Sequence, residues 1–341
     1  MPVDGAWWTP DQMRRLLAMT PDESMSASEA SSLVIEHMRA GVRELSAGEA
    51  RRQAVQISGG IDSALLAASL VAEGMKPTCY VVGDGPENAD ICGAREVCGA
   101  LDLPLVEIIW DPEDVAHEVG EMAAIKRSRS VFDIAYGLLE QAVIDRLDAD
   151  GVDRFWTGNG ADILLAGGRE PREFGDPWRM AEWERSVWES MLPVWFWRSC
   201  FAPGWKRDHR EREPFRGLEM ASAVRQIPPR LWWGDGADKL PLRLAAVRLG
   251  VPASVAFQQK AAAQMSSGVY GVIARDMLER VDDETDLRVT SPPVEAADLL
   301  LAVRIWVAWH ADRAGVAPRR DAQPRAIPSF SQMLEMLDVI A

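Results

Sequence analysis

The reading of this chain turns on one stretch, Val55-Gln56-Ile57-Ser58-Gly59-Gly60-Ile61-Asp62-Ser63-Ala64-Leu65-Leu66. An apolar run ends in Ser-Gly-Gly, an Asp-Ser pair follows, and a helical apolar pattern then begins. That order predicts a buried strand delivering a glycine-rich turn onto a helix N-terminus, where backbone N–H groups and the helix dipole favour an anion. Gly59 and Gly60 let the backbone approach a phosphate closely. Ser58 and Ser63 offer hydroxyl donors, and Asp62 is placed to hold magnesium against the phosphates. The spacing is neither GxxxxGK[ST] nor GxGxxG, which sets aside a kinase-like phosphate loop and a dinucleotide turn. Alone, the stretch also fits an ordinary strand–turn–helix corner with glycines for packing.

Its surroundings weigh against that plain reading. From 51 to 168 the chain alternates expected strands at 54–57, 78–83, 105–110 and 154–157 with helices at about 63–74, 88–101, 112–125 and 131–148. Such alternation predicts an α/β fold with a parallel sheet and crossover helices. Parallel sheets bind ligands beyond the carboxyl ends of their strands. Ser58–Ser63, Val82-Gly83 and Gly158–Asp162 all fall at that edge. The last belongs to Phe155-Trp156-Thr157-Gly158-Asn159-Gly160-Ala161-Asp162-Ile163-Leu164-Leu165-Ala166-Gly167-Gly168, which repeats the logic of the first stretch. A second aspartate beside a phosphate loop lets two carboxylates fix the magnesium of an ATP complex. Taken alone, Asp162 reads better as a helix cap.

Composition narrows the function. The 341 residues suffice for one large domain or two smaller ones, and 48% hydrophobic with 26% charged residues fits a globular chain. A net charge of −15 argues against nucleic acid as a main partner. Cys79, Cys92, Cys98 and Cys200 form no CxxC pair and no zinc spacing, so free thiols in a reducing cytosol are expected. No basic, apolar leader opens the chain and no segment has the length of a bilayer span, which predicts a cytoplasmic protein without membrane attachment. Three regions are expected: a helical segment at 1–50, a nucleotide-binding core at 51–168, and a mostly helical extension at 169–341 that completes the site. His37, on the helix expected over Ser26 to Leu45, reads as a core-edge histidine with no patterned carboxylate. Six tryptophans crowd 169–210, from Trp178 to Trp205. They read first as a buried helical layer, and second as a substrate lid or a surface docking a partner.

Together the two motifs resemble the asparagine synthetase family, which includes the β-lactam synthetases and the lasso-peptide cyclases. SGGIDS is similar to its SGGxDS, and TGNGADILLAGG to its (S/T)GxGAD…GG; Tyr80 to Gly83 followed by Asp90 and Arg95 is similar to the strand and helix between them. Arg212-Glu213-Pro214-Phe215 is similar to its RxPF element, and Lys239-Leu240-Pro241-Leu242-Arg243 to its KxxLR. The run from Val251-Pro252 through Lys260 to Gly268 looks like the family's lysine followed by a Gly/Ser turn. The resemblance implies a PP-loop ATP pyrophosphatase core, Rossmann-like, with ATP and Mg2+ as cofactors. It implies that Ile57, Val82, Gly83 and Gly158 surround adenine and ribose, and that Ser58, Gly59, Gly60 and Ser63 hold the phosphates. Asp62 and Asp162 would carry magnesium, Lys239 would contact the leaving phosphates, and Lys260 would steady the charge that develops on acyl-adenylate and pyrophosphate.

Two departures qualify what the resemblance implies. The amide-forming members usually begin with a glutaminase domain whose nucleophile is an N-terminal cysteine. This chain has no cysteine before Cys79, and about 50 residues are too few for that domain. Asn159 stands where asparagine synthetases carry glutamate and β-lactam synthetases tyrosine. An amide cannot act as a base, although it can position a substrate by hydrogen bonds. The expectation is therefore an AMP-forming carbon–nitrogen ligase that adenylates a small-molecule or peptide carboxylate. Ammonia or an amine then attacks, supplied free or by a separate glutaminase. The alternatives are another ATP pyrophosphatase-type ligase or a non-catalytic nucleotide-binding subunit of an amidotransferase complex. Thiolation is disfavoured, because no patterned cysteine pair sits near the motifs.

Overall fold

The short β-rich runs pair side by side, and the longer helical runs between them cover both faces of the resulting sheet. A computed structural model describes residues 10–110, 112–126, 131–165, 210–234, 236–258, 266–273, 307, 311 and 313–316. In chain order the elements are α1 (Pro10–Ala18), α2 (Ala27–Leu45), β1 (Gln53–Gln56), α3 (Ile61–Ala72), β2 (Thr78–Gly83) and α4 (Ala89–Leu101). Next come β3 (Leu105–Ile109), α5 (Pro112–Lys126), α6 (Val131–Ala149), β4 (Arg154–Trp156), α7 (Ala161–Leu164) and β5 (Glu211–Arg212). Then follow α8 (Leu218–Gln226), β6 (Trp233–Gly234), β7 (Ala237–Asp238), α9 (Leu240–Arg248) and α10 (Ala253–Ala256).

The five strands β1 to β5 form one parallel sheet in the order β3-β2-β1-β4-β5. Successive residues of a strand point to opposite faces, and the core divides accordingly. Val55, Cys79, Val81 and Trp156 pack on one side with α2, α3 and α4. Ala54, Tyr80, Val82 and Phe155 pack on the other with α5 and α6. Both faces are covered, which is why these strands read as near-continuous apolar runs rather than as alternating ones. This is the α/β architecture that the strand–helix alternation predicts.

Four strands were legible from their apolar runs; the fifth was not. β5 is only Glu211–Arg212, partly buried, and it lies inside the RxPF element, whose Pro214 starts a 3-10 turn over Pro214–Arg216. A two-residue polar strand has no hydrophobic signature, and backbone bonding to β4 defines it (Thr157 N donates to Arg212 O at 3.0 Å). Ahead of the sheet, the described residues hold the two helices α1 and α2. Ser26 closes a capping box on α2 with Glu29, and Val34, Met38 and Val42 enter the same core as α3. His37 finds a carboxylate that no local pattern announced: Nδ1 lies 2.8 Å from Glu219 of α8. Cys79 and Cys98 are buried free thiols and Cys92 is exposed. Among the described residues no helix is long and apolar enough to cross a membrane. The tryptophan-rich stretch before Arg210, Cys200 and most of the expected C-terminal helices lie outside the described residues.

Candidate active site at the carboxyl edge of the sheet

Strand order reverses between β1 and β4, and the loops leaving these two strands carry the two motifs. In open parallel sheets this crevice is where ligands bind. The turn after β1 reaches α3 through Gly60, whose backbone is extended at φ −93 and whose position supplies no side-chain cap. The first N–H groups of α3 are thus unclaimed by a capping side chain, as an anion site requires. Ser63 organises the turn from within: its Oγ accepts from Ser58 N at 3.0 Å and lies 3.3 Å from Ser58 Oγ.

Packing from α4 holds the turn from outside. A Cβ on Gly93 would stand 2.6 Å from Gly59 Cα, so the two backbones meet with no side chain between them. Asp90, also on α4, accepts from Gly59 N at 3.3 Å and from Ser266 Oγ at 2.6 Å. Burial pushes the Asp90 carboxyl above its ordinary value, and these two hydrogen bonds only partly oppose that. The sequence offered Asp90 as a point of family likeness; its part as a brace for the phosphate turn depends on contacts 31 and 176 residues away. Ile57 and Val82 are both buried, on opposite sides of the sheet. Gly83 packs under Asn88 and Ile91, where a Cβ would meet side-chain atoms at 2.7–2.9 Å.

The second loop is brought against the first by another glycine. A Cβ on Gly158 would lie 3.0 Å from Ser63 N and 3.1 Å from the Asp62 carbonyl carbon. Gly160, at φ 104, turns the chain into α7 and so places Asp162. Asp62 and Asp162 then converge on one cation. Lys239 Nζ lies 2.7 and 2.6 Å from the two oxygens of Asp62 and 2.5 Å from Asp162 Oδ1. Lys239 is fully buried, whereas Asp162 is about half exposed. Burial alone would lower the lysine's pKa, but the two carboxylates outweigh it and hold the ammonium above its ordinary value. Lys239 takes a left-handed backbone, φ 52, at the start of α9. Arg243, one turn on, fixes this corner: Nε donates to Asp238 O at 2.5 Å, and NH1 donates to Ala256 O at 2.6 Å and Gln258 O at 3.0 Å.

The residues therefore bring Ser58, Gly59, Gly60, Asp62, Ser63, Gly158, Asp162 and Lys239 into one place. Lys260 lies outside the described residues, as does the loop around it. Asn159 accepts from Tyr136 OH at 2.9 Å. Tyr136, on α6, escaped sequence reasoning, because nothing in a buried helix marks one tyrosine as facing a loop 23 residues later.

The donor chemistry can be tested against magnesium. Two carboxylates from the first turns of α3 and α7 already enclose a single positive charge, and Mg2+ prefers such hard oxygen donors, completed by phosphates and water. No cluster of three or more His, Cys, Asp or Glu side chains suited to a metal occurs among the described residues. The pair fits an ion that arrives with a nucleotide better than a resident metal held by protein alone.

Sheet order, phosphate turn and paired aspartates define the class, a PP-loop domain of the ATP pyrophosphatase type. The asparagine synthase family profile matches residues 48–211, the stretch that carries both motifs. No curated protein matches the sequence. Among solved structures, NMN synthetase from Francisella tularensis aligns at 14% identity over 87% of this chain and 99% of its own, with a TM-score of 0.39. The NH3-dependent NAD synthetase of Campylobacter jejuni aligns at 14% over 86% and 99%, with a TM-score of 0.35. The U34-tRNA thiolase NcsA of Methanococcus maripaludis aligns at 13% over 83% and 95%, with a TM-score of 0.34. At these scores the three likenesses carry no further argument.

Proposed function

We propose that this protein is an ATP-dependent, amide-forming synthetase that activates a carboxylate as its adenylate, releasing pyrophosphate, and passes it to ammonia or an amine. The observation that carries the reading is the convergence of Asp62 and Asp162, from the helix starts that follow the two motif turns, on Lys239 beside the Ser58–Ser63 turn. A carboxylate oxygen attacks the α-phosphorus of ATP and the bond to the β-phosphate oxygen breaks. The hydroxyls and N–H groups of Ser58 to Ser63 hold the departing phosphates, with Asp90 fixing Gly59 from behind. Asp62 and Asp162 would hold magnesium, which when bound neutralises phosphate charge. Lys239 keeps those carboxylates at a set separation and stands beside the phosphates; Lys260 supplies the second positive charge. Ile57, Val82, Gly83 and Gly158 border the nucleoside, and Asn159 lies on the acyl side.

The organisation proposed is a helical segment at 1–50, the core at 51–168 and the extension at 169–341. The nitrogen comes free, from the substrate, or from a separate glutaminase. An intracellular, nucleic-acid-independent setting suits such chemistry and the acidic composition.

The test is a product assay with ATP, magnesium and a panel of carboxylates, with and without ammonium. AMP and pyrophosphate appearing together, dependent on one carboxylate, are expected. ADP and phosphate would overturn the reading, and tight ATP binding without turnover on any member of the panel would favour a non-catalytic subunit instead.

A further inference from the structure

Away from the candidate active site, a cavity of about 280 Å³ is lined by Ser32, Ile35, Glu36, Arg39 and Arg43 of α2 and by Arg248, the last residue of α9. The α2 positions are spaced so that they share one face of that helix. Half of the lining residues are arginines, in a chain whose net charge is −15. The cavity and the paired aspartates lie toward opposite ends of α3. Asp62 stands in its first turn and Glu73 caps its far end, so about 16 Å of helix separates the two.

Each guanidinium is anchored by one part of its fork. Arg39 donates from Nε to Glu73 Oε1 at 2.5 Å and from NH2 to Ala72 O at 3.3 Å. Arg43 donates from NH1 to the same Glu73 oxygen at 2.9 Å. Arg248 uses NH1 alone, which reaches Ser31 Oγ at 2.7 Å, Ser32 Oγ at 2.8 Å and Ser28 O at 3.3 Å. Both serine hydroxyls spend their protons on Ser28 O, at 2.8 and 3.0 Å, so they meet Arg248 with lone pairs and hold it in a set position. Arg39 NH1, and the Nε and NH2 groups of Arg43 and Arg248, have no hydrogen-bond partner among the described residues. Ordinary ion pairing accounts for Arg39 and Arg43, which share one oxygen of a Glu73 side chain only 10% exposed. It does not account for Arg248, which hydroxyls and a carbonyl hold without a carboxylate. Three guanidinium groups against the carboxylates of Glu36 and Glu73 leave one net positive charge at the cavity wall. Planar forks held on one side, with N–H groups open on the other, suit the paired oxygens of a phosphate or carboxylate. The Arg39 and Arg43 side chains are 39% and 56% exposed, so water and salt compete for them and binding is weak.

We propose that this cavity is a second ligand site, separate from the nucleotide crevice, that binds the phosphate or carboxylate group of a small molecule through the open N–H groups of Arg39, Arg43 and Arg248. The site stands whether or not the protein forms amides. Its volume falls at the small end of the range for ligand pockets, which fits a compact metabolite, and Ile35 gives such a molecule an apolar wall beside its charged group.

Inorganic phosphate and succinate, titrated separately into the full chain by calorimetry, distinguish the two sources of the oxyanion. Phosphate can also enter the Ser58–Ser63 turn, so Arg43→Gln and Arg248→Gln are titrated beside wild type. Both side chains are exposed, and thermal midpoints near wild type are expected to show that the fold is kept. At least one probe should bind wild type, and each substitution should weaken it about 10-fold, the order expected for a lost hydrogen bond to a charged group. Glu36→Gln removes a carboxylate from the cavity wall and should tighten binding of the same probe, a gain that general damage to the fold does not produce. Tighter binding of phosphate assigns a phosphorylated ligand, and tighter binding of succinate a carboxylated one. Absence of binding by either probe overturns the proposal. So does wild-type affinity in both arginine variants, which would place the anion elsewhere, or weaker binding in Glu36→Gln.

Discussion

Gly93 carries no reactive group, yet it sets where the phosphate turn lies. A Cβ there would press on Gly59 backbone at 2.6 Å, and no flexible side chain is available to yield. Gly93→Ala should therefore shift the turn, cost about 1–3 kcal/mol as overpacking does, and weaken MgATP binding in a calorimetric titration. Wild-type affinity together with an undiminished unfolding midpoint would show that the turn is set elsewhere. Lys239 poses the opposite problem, a deletion. Lys239→Met leaves two carboxylates facing each other without their cation. Removing one partner of a fully buried pair costs more, but Asp162 is about half exposed, so a loss of about 1–3 kcal/mol is expected. Added magnesium should raise the thermal midpoint of that variant more than that of wild type, because an ion can then replace the ammonium; an equal response would mean the carboxylates do not share a metal position. Ser58, Gly59, Gly60, Asp62, Gly158 and Asp162 were legible in the sequence because each motif is local, a few residues with a fixed geometry. Tyr136 behind Asn159 and Ser266 behind Asp90 were not, since their partners are 23 and 176 residues away and a single sequence carries no sign of such a pairing.

The same division between local and distant signals holds for the elements. The strands β1 to β4 and the helices between them stood out, because burial on both faces demands unbroken apolar runs in the strands and helical spacing between them. β5 stayed hidden, because Glu211 and Arg212 belong to the sheet only through backbone bonds to β4. One contact between elements has a measurable pH signature. Tyr80 of β2 donates to Asp150, at the end of α6, at 2.9 Å, tying that helix to the sheet. Burial first, and the Asp150 contact second, push the Tyr80 phenol up to about 12. The folded protein thus prefers the protonated phenol. The stabilisation is fully present below the unfolded tyrosine's value, about 10, and is lost as pH rises through about 12. Asp150 is held below its ordinary value by Tyr80 and Arg146, so its share is present above the ordinary aspartate range and is lost as pH falls through its lowered value. Tyr80→Phe should flatten the alkaline limb of a stability–pH curve measured by denaturant unfolding. An unchanged slope between about 10 and about 12 would assign that limb to other groups.

At the scale of the whole molecule, the chain carries a net charge of −15 and, on the reading proposed, must bind a polyanion. Locally the conflict is small, since the turn offers N–H dipoles and Lys239 stands beside it. Lys239, however, is already matched by Asp62 and Asp162, and the three together leave one net negative charge where the phosphates would lie. Free ATP thus meets repulsion both from the site and from the field of the entire protein. MgATP meets less, because the ion offsets the paired carboxylates and half the charge of the triphosphate tail. The long-range part of that difference is screened by salt: the Debye length is about 30 Å at 0.01 M ionic strength, enough for distant acidic residues to act, and about 8 Å at 0.15 M. MgATP should therefore bind more tightly than ATP in excess chelator, with the gap widest at low ionic strength and narrowing toward 0.15 M. What persists at high salt measures the short-range contribution of Asp62 and Asp162, and Asp62→Asn should shrink that residue while leaving the salt-dependent part almost intact. Isothermal titration of both forms across this salt range separates the two contributions. A gap that ignores salt would confine the electrostatics to the site, and the absence of any gap would remove the two aspartates from nucleotide binding altogether.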